Sequence, residues 1–293
     1  MFWNLWITEE LRVSKDRLVW ICLLILTGVL ISDVLGQYFA ASPLQNDSST
    51  QIMIDGQTAE GSSIRSSQHT VQRSTWPTVF THGLKLLRQY SWLTVIVIVG
   101  SIMGQEYLWH VPQFLLSRGI SRLAFLSSRF MAFLLPVLCL VLLPIMCSSF
   151  LSALCMQALH GKLDMYSVDY MQLAVSVLAT AYSLLPYAGL ALLLAIVGRS
   201  FILPIGGGIA FVVIENLIYE QGIVIAKYMP YTLGASMANL YESIPVGLPD
   251  SSAMQAPMIE TLGIVPSLLG ILIWSGLFLA LSVFVFLKQN YPE

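Results

Sequence analysis

Long apolar runs recur along the chain and predict its fold. Six stretches carry few or no charged residues, and each is about as long as a helix must be to cross a hydrocarbon core of about 30 Å. They are residues 18–40, 84–107, 130–159, 171–197, 201–219 and 261–287. The pattern predicts an all-α integral membrane protein with about six transmembrane helices, in a single transmembrane domain spanning 1–293.

Composition supports this prediction and excludes a soluble enzyme. Hydrophobic residues make up 56% of the 293 residues and charged residues only 10%, whereas soluble domains carry roughly a quarter charged residues. The formal net charge of -2 and the lack of a dense basic block argue against nucleic acid as a partner. The first run is too long for the apolar region of a signal peptide, so we expect a retained anchor.

The basic residues predict the orientation. With an inner N-terminus, the cytoplasmic segments hold Arg12, Lys15, Arg17, Arg118, Arg122, Arg129, Arg199 and Lys288. The short outer loops then hold little more than Lys162 and Lys227. Because cytoplasmic loops are enriched in Lys and Arg, both termini are predicted to be cytoplasmic.

Three segments outside the apolar runs have their own character. Residues 1–17 place polar side chains on one face and tryptophans on much of the rest, which predicts an interfacial helix. Residues 41–83 predict an outer loop whose amphipathic part, from Thr78, lies on the outer leaflet or extends the second span. Residues 220–260 predict a second outer region with a short helix that dips partly into the membrane.

No catalytic or nucleotide-binding motif occurs in the chain. It contains no GxxxxGK[ST], HExxH or GxSxG pattern. The four cysteines lie in apolar runs without CxxC spacing, which predicts buried, inert thiols and no metal site. We therefore expect no cofactor and no reaction carried out by this chain.

The stretch 106–122 is punctuated as a helical elbow between the second and third spans. Proline is tolerated in the first turn of a helix, glycine can end one in the left-handed conformation, and serine can cap the next. Pro112, Gly119 and Ser121 supply these three signals. They predict a short helix over 112–118.

This stretch resembles the permease subunits of ABC-2-type transporters. There an acidic residue is followed, after three positions, by Gly-Thr, a Leu-rich turn and Thr-Arg-Pro-x-Ser-Arg. The residues in register are Glu106, Leu115, Leu116, Arg118, Ser121 and Arg122. His110 and Val111 replace the Gly-Thr, and Gly119 replaces the proline. The leader, the large first outer loop, the six spans and the final outer excursion extend the resemblance over the whole chain.

The resemblance implies a function and partners. Such a permease works with cytoplasmic ABC ATPase subunits and with a second permease copy or a related permease subunit, and the elbow at 108–122 would couple it to the ATPase. The residues implied in coupling are Glu106, Pro112, Gln113, Phe114, Leu115, Leu116, Arg118, Gly119, Ser121 and Arg122. The plain alternative is a basic cytoplasmic loop without a docking role.

Two acidic residues within the spans suggest a different mechanism. Asp33 and Glu215 are expected at similar depth, each about 15 residues beyond the inner end of its helix, and they could face a shared aqueous vestibule. With Asn216 they are the candidate pathway residues. A self-contained secondary transporter or channel using Asp33 and Glu215 is therefore the alternative function. An intramembrane enzyme is a third class, disfavoured by the missing motifs.

The implied role is export from a bacterial plasma membrane. Few charges line the spans, which favours an amphipathic or hydrophobic substrate such as a peptide, drug or lipid.

Small residues predict close helix contacts. Gly100 and Gly104 form a GxxxG pair, suited either to packing within one subunit or to a dimer seam. Pro204 and the glycines at 206–208 allow either a hinge or close packing in the fifth span.

Overall fold

The structure, a computed structural model, describes residues 12–13, 15–41, 78–119, 121–160, 170–241 and 262–289. Within these ranges the chain is helical apart from short turns, and no strand occurs. This confirms the all-α prediction. Helices suit a membrane because each satisfies its own backbone hydrogen bonds where no water is present.

Nine α-helices have both ends in the described ranges. In chain order they are α1 (Arg17–Ala41), α2 (Thr78–Leu108), α3 (Val111–Ser117), α4 (Arg122–His160), α5 (Tyr170–Ser183), α6 (Leu185–Gly198), α7 (Ile202–Glu220), α8 (Pro230–Tyr241) and α9 (Ile264–Lys288). A 3₁₀ turn, Val224–Tyr228, precedes α8.

Six helical stretches are long and apolar enough to cross a membrane, as the sequence predicted. They are Arg17–Gly36, His82–Leu108, Arg122–Cys155, Leu173–Gly198, Ile202–Glu220 and Ile264–Lys288. Large apolar side chains such as Leu24 and Ile273 lie exposed on their outer surfaces, as expected for a surface in contact with lipid rather than water. The chain is a multi-pass membrane protein.

The helix of the third span starts eight residues before its apolar run at 130, directly after the Ser121 cap that the sequence indicated. Helix α4 runs unbroken for 39 residues from Arg122, or about 58 Å at 1.5 Å per residue. That length exceeds the hydrocarbon core of about 30 Å, so α4 tilts or extends beyond the membrane. Ser121 caps its start, accepting a hydrogen bond at Oγ from the Ala124 N–H (3.3 Å).

Helices α2 and α7 pack closely where α7 begins. A Cβ on Gly104 would lie 2.5 Å from Phe201 Cα, and one on Gly100 would lie 2.9 Å from Pro204 Cβ. The GxxxG pair therefore serves packing within the subunit. We call the end where α2 and α4 meet α3 the elbow end, and the opposite end the far end.

The fourth span is broken. Helices α5 and α6 are separated by a turn at Leu184, and Pro186 lies in the first turn of α6. The sequence run 171–197 gave a single span without this break. Proline supplies no N–H to the preceding turn, which favours an interruption here, whereas α4 continues through Pro136 and Pro144.

Helix α8 is a short element at the far end. Its Leu233 and Met237 form a small apolar cluster with Ala179 of α5 and Ile271 of α9. Gly234 packs against Ser183, where an added Cβ would lie 2.9 Å from Ser183 Cβ. The predicted short helix in 220–260 thus exists, whereas residues 242–260 lie outside the described ranges.

Two other predicted segments are only partly described. Residues 1–11 and 14 of the expected interfacial helix lie outside the described ranges, but Arg12 and Val13 are helical and Val13 is buried in the main apolar core. Residues 42–77 of the expected outer loop are likewise outside them. The amphipathic segment from Thr78 extends the second span, because it is continuous with α2.

The cysteine prediction was wrong in one respect. Cys147 is exposed, and Cys22, Cys139 and Cys155 are partly exposed rather than buried. They lie on spans whose outer surfaces are apolar.

Candidate functional site

The elbow forms as its punctuation predicts. Helix α3 spans Val111–Ser117, with Pro112 in its first turn. Gly119 has φ +80°, the left-handed conformation expected after the helix. These two observations and the Ser121 cap confirm the local geometry of the elbow.

His110 makes the turn that separates α2 from α3. Its φ is +54°, a conformation that L-residues adopt at a cost and that glycine adopts freely. Its carbonyl oxygen accepts the first hydrogen bond of α3, from the Phe114 N–H (3.2 Å).

The elbow presents an exposed apolar surface. Phe114 is 55% exposed and Trp109 66% exposed, and Leu108 beside them is also exposed. The Arg118 guanidinium lies over the Phe114 ring, 4.1 Å from its centroid, a cation–π contact. We call Leu108, Trp109, Phe114 and Arg118 the elbow surface.

Other predicted coupling residues face inward or sideways. Pro112 is buried, Gln113 is partly buried, and Leu115 packs against the main apolar core. The side chain of Leu116 lies outside what the structure describes. Phe114, rather than Leu115, is thus the most exposed apolar side chain described in α3.

Glu106 forms the centre of a buried ionic cluster at the elbow end. Arg12 Nη1 donates a hydrogen bond to Glu106 Oε1 (3.1 Å), and Arg129 Nε lies 3.0 Å from Glu106 Oε2. Glu106 is 0% and Arg129 2% exposed, whereas the Arg12 side chain is 36% exposed. The cluster joins the N-terminal segment, α2 and α4 next to the elbow.

Aromatic rings extend this cluster to the last helix. The Arg129 guanidinium lies 4.9 Å from the centroid of the Phe125 ring, which stacks on Phe286 of α9 at 5.6 Å. Such contacts keep a buried guanidinium against polarisable surface. The elbow end of α4 is therefore connected to both α2 and α9.

Arg122 binds the end of α9 directly. Its Nη1 donates to the carbonyl oxygens of Phe286 (3.3 Å), Leu287 (2.8 Å) and Gln289 (3.2 Å). These are among the carbonyls that a helix end leaves without partners in the helix, and a cation there also complements the helix dipole. Arg122 thus joins α4 to α9 within this chain.

Glu215 lies near the far end and caps α8. Its Oε1 accepts a hydrogen bond from the Tyr231 N–H (3.2 Å), and its Oε2 accepts one from the Tyr187 hydroxyl (3.0 Å). A carboxylate at a helix N-terminus satisfies a backbone donor and complements the dipole. The neighbouring Asn216 donates from Nδ2 to the Val212 carbonyl (3.0 Å) within α7.

Asp33 has a different partner. Its Oδ2 lies 3.1 Å from His82 Nε2, which joins α1 to α2. The described contacts of Asp33 and Glu215 involve different residues. The shared vestibule of these two acids stays a prediction.

A cavity of about 130 Å³ lies at the far end. Lys85 and Arg88 of α2 line it together with residues from the break in the fourth span and from the start of α8. Tyr231 is one of the lining residues. Burial raises the pKa of its hydroxyl and the nearby Arg88 charge opposes that rise, so Tyr231 is neutral at physiological pH.

No protein-family model matches the chain, and comparison with curated proteins finds no significant match. Its function must therefore be inferred from its residues and their geometry.

Sequence reasoning missed two parts of these sites. It placed Glu106 and Arg122 in the coupling region but gave neither a partner within the chain, and it did not identify Arg129 and Arg12 as ligands of Glu106. It also missed the cavity. Lys85 and Arg88, three residues apart at the start of the second apolar run, were the available signal for it.

Proposed function

We propose that this chain is the membrane-spanning permease subunit of an ATP-driven transporter of the ABC-2 type. It works with separate cytoplasmic ATPase subunits and with a second permease copy or related subunit. Its proposed role is export of an amphipathic or hydrophobic substrate across a bacterial plasma membrane. The termini and the elbow are then cytoplasmic, and this chain makes or breaks no covalent bond.

The elbow is the observation that carries the proposal. A seven-residue helix with an exposed aromatic surface follows the second span, and buried charges and hydrogen bonds join its surroundings to three spans. A connecting loop needs neither feature, whereas an element that receives a partner and transmits its motion needs both. The aromatic residues Phe114 and Trp109 are of the type that anchors protein interfaces.

His110 supports the register of the family resemblance. In that register glycine would occupy position 110, and His110 has the positive φ that glycine adopts most easily. The substituted position therefore keeps the backbone conformation that the motif's own residue favours.

The same geometry divides the coupling residues into two roles. The elbow surface is the proposed docking surface for the ATPase. Glu106 and Arg122 are positioning residues, since their contacts are within the chain, and they hold the elbow against α2, α4 and α9.

Co-purification tests the proposal. Full-length tagged protein is extracted from its native membranes, and bound proteins are identified by mass spectrometry. We expect a protein with a P-loop ATPase domain. Phe114→Asp should reduce its recovery at least tenfold, because an apolar interface anchor contributes about 2 kcal/mol or more.

Two controls make the result specific. Phe114→Leu should keep most of the binding. Leu123→Asp changes a similarly exposed side chain at the start of α4, outside the elbow surface, and should leave recovery of the ATPase near the wild-type level. Single cysteines at 113–117 should also crosslink to the ATPase in membranes. Recovery of the chain without an ATPase would contradict the proposed function; an intact complex insensitive to Phe114→Asp would contradict only the docking surface.

A further inference from the structure

Two carboxylates are buried in the described part of the chain, and they differ in their partners. Glu106 is 0% and Glu215 2% exposed. Two arginine side chains lie against Glu106. Glu215 instead accepts hydrogen bonds from two uncharged donors, the Tyr187 hydroxyl (3.0 Å) and the Tyr231 N–H (3.2 Å). The two acids are similarly buried, but only Glu106 has counter-ions.

Ionisable side chains near Glu215 do not form ion pairs with it. The elements that pack around it carry such side chains at Lys85 and Arg88 of α2, Tyr187 of α6, Tyr219 and Glu220 of α7, Lys227 and Tyr228 of the 3₁₀ turn, and Tyr231 of α8. Among the described residues, no lysine, arginine or histidine pairs with Glu215. Its negative charge is supported by the two hydrogen bonds and by the dipole of α8, whose N-terminus it caps.

Glu215 and the start of α8 lie well inside the bundle. Glu215 belongs to the fifth span, Ile202–Glu220, about 20 Å along α7 from its start. Just before α8, the Tyr228 carbonyl accepts a hydrogen bond from the Trp274 indole (2.7 Å). Trp274 is about 21 Å along α9 from its end at the elbow. With a hydrocarbon core of about 30 Å, this level is inside the membrane, where an ionisable side chain is a functional candidate.

The Tyr187 hydroxyl suits Glu215 in both protonation states. A hydroxyl group donates one hydrogen bond and also accepts, and its proton rotates to fit. When Glu215 is ionised, the hydroxyl donates to Oε2. When Oε2 carries a proton, the same hydroxyl accepts from it, and Oε1 still accepts from the Tyr231 N–H. A guanidinium has no acceptor, so the partners of Glu106 do not allow this reversal.

Opposing contributions act on the two forms of Glu215. Burial without a counter-ion disfavours the charged form, and a carboxyl group in such surroundings becomes neutral by taking up a proton. Hydrogen bonds from two donors and the α8 dipole favour the charged form. Of the two buried acids, Glu215 is therefore the one that can gain and lose a proton with its hydrogen bonds satisfied.

The cavity at the far end provides space for water beside the partners of Glu215. It measures about 130 Å³, and both Tyr187 and Tyr231 line it. One water needs roughly 10–15 Å³ of such a volume, and Lys85 and Gln89 add polar groups to the lining. Several waters therefore fit next to Tyr187.

We propose that Glu215 reversibly binds a proton that enters from the far-end cavity through the Tyr187 hydroxyl. In the loading step this hydroxyl gives its proton to Glu215 Oε2 and takes up a hydrated proton from the cavity, which leaves Tyr187 neutral and Glu215 uncharged. Release is the reverse. Loading removes the charge that complements the α8 dipole, so hydrogen bonds alone then join Glu215 to α8. The site requires no ATPase and is independent of the proposed function.

Infrared difference spectroscopy of the purified full-length chain in detergent tests the proton site. A protonated carboxyl group has a C=O stretching band that a carboxylate lacks. Titration between about pH 4 and pH 9 covers both ordinary and buried glutamates. We expect a band that weakens as the pH rises and is missing in E215Q. A carboxyl band of Glu215 that is absent or constant over the whole range would overturn reversible binding.

Two further variants assign the band. D33N removes another acid of the spans, one that is partly exposed, and should leave the band in place; its loss in D33N instead of E215Q would overturn the assignment. Y187F should keep a titrating band at a changed frequency, because the carboxyl group loses one hydrogen bond. This second variant also decides the matter if E215Q does not fold, since an unchanged frequency in Y187F would show that the titrating group is not bound to Tyr187.

The entry path is tested by the rate of proton exchange. On transfer to heavy water the band shifts as its O–H becomes O–D. Ala235 lines the cavity, so A235L fills the cavity without changing charge and should slow this shift at least severalfold. A210L makes the same substitution at an exposed position of α7 and should leave the rate unchanged. Equal rates in A235L and the wild type would mean that the proton enters elsewhere and would overturn the path through the cavity.

Discussion

Glu106 shows how single residues keep a charge inside an apolar bundle. Removing a carboxylate from water is costly, and the cost is offset only by well-placed opposite charges and hydrogen bonds. Arg12 donates a hydrogen bond to one oxygen of this carboxylate, and Arg129 Nε lies at ion-pair distance from the other oxygen. The cluster also lies near the end of its span, where Arg12 remains in contact with solvent or headgroups.

This arrangement predicts strong coupling between Glu106 and Arg129. E106Q and R129M should each lower the free energy of unfolding by about 3–5 kcal/mol, because each leaves a buried charge with too few partners. The double variant should lose clearly less than the sum. Thermal unfolding of the purified variants in one detergent measures all four corners of the cycle. R12Q should cost less because Arg12 is partly exposed, and additive losses would contradict the coupling.

Residue-scale features were predictable where their causes are local. Gly119 and Ser121 act on backbone groups within three or four positions, so the sequence alone indicated a helix end and a cap. Arg12 and Glu106 are 94 positions apart. No local pattern specifies which of several basic residues meets a buried acid, so that pairing required the fold.

At the scale of elements, close packing explains the glycines of α2. Gly104 faces the backbone of Phe201 at the start of α7, and Gly208 faces Ile96 in the same interface. Backbone atoms cannot move aside as a flexible side chain can. The glycine-rich start of the fifth span is therefore a packing surface in this structure, and α7 continues through it as one helix.

G104A should destabilise the chain through this contact. The new Cβ would lie 2.5 Å from Phe201 Cα, and overpacking of this kind costs about 1–3 kcal/mol. Gly206 of α7 has nothing within 4 Å of its Cβ position, so G206A is the matched control. It should be neutral or raise stability by up to about 1 kcal/mol. Equal melting temperatures for the two variants would contradict the packing argument.

The turn between α2 and α3 gives a second prediction at this scale. H110G relieves a left-handed backbone strain of about 1–2 kcal/mol in the folded state. It also raises the conformational entropy of the unfolded chain, which lowers stability by a smaller amount. The melting temperature should therefore stay level or rise slightly. H110V places a β-branched residue at φ +54° and should lower it. The unfolding curves of both variants decide this, and a drop for H110G as large as for H110V would refute the strain.

Elements were predicted well by apolar length and poorly at their joints. All six spans were predicted from the length of the apolar runs, because a helix needs about 20 apolar residues to cross a bilayer. The apolar run alone placed the third span from 130, since residues 122–129 include polar and basic side chains, whereas Ser121 correctly indicated a helix start at 122. The break at Leu184 was missed because a charge-free run from 171 to 197 satisfies the length rule, although Pro186 within it was a signal.

For the whole molecule, the elbow end forms a connected framework. Glu106 joins α2 to α4, and Arg122 and the Phe125–Phe286 stack join α4 to α9. A displacement of α3 therefore acts on three spans together. At the far end α9 packs against α8, which borders the cavity. Under the proposed function, these contacts are a route by which ATP-driven motion at the elbow alters that cavity.

Arg122 offers a test of this route that is separate from docking. R122Q removes hydrogen bonds to the end of α9, and hydrogen bonds from a charged group contribute about 1.5–3 kcal/mol. ATPase recovery should stay near the wild-type level, since Arg122 contacts its own chain. R118Q, which changes the elbow surface, should instead weaken recovery.

The readout for coupling is a cysteine at Ala235 in an otherwise cysteine-free chain. In the assembled complex, its rate of maleimide labelling should differ between ATP and ADP, because the cavity it lines changes when the elbow moves. R122Q should reduce that difference severalfold while leaving the labelling rate in ADP unchanged. If R122Q instead loses the ATPase as F114D does, Arg122 belongs to the docking surface. If it keeps the full nucleotide response, the contact between α4 and α9 does not carry the motion.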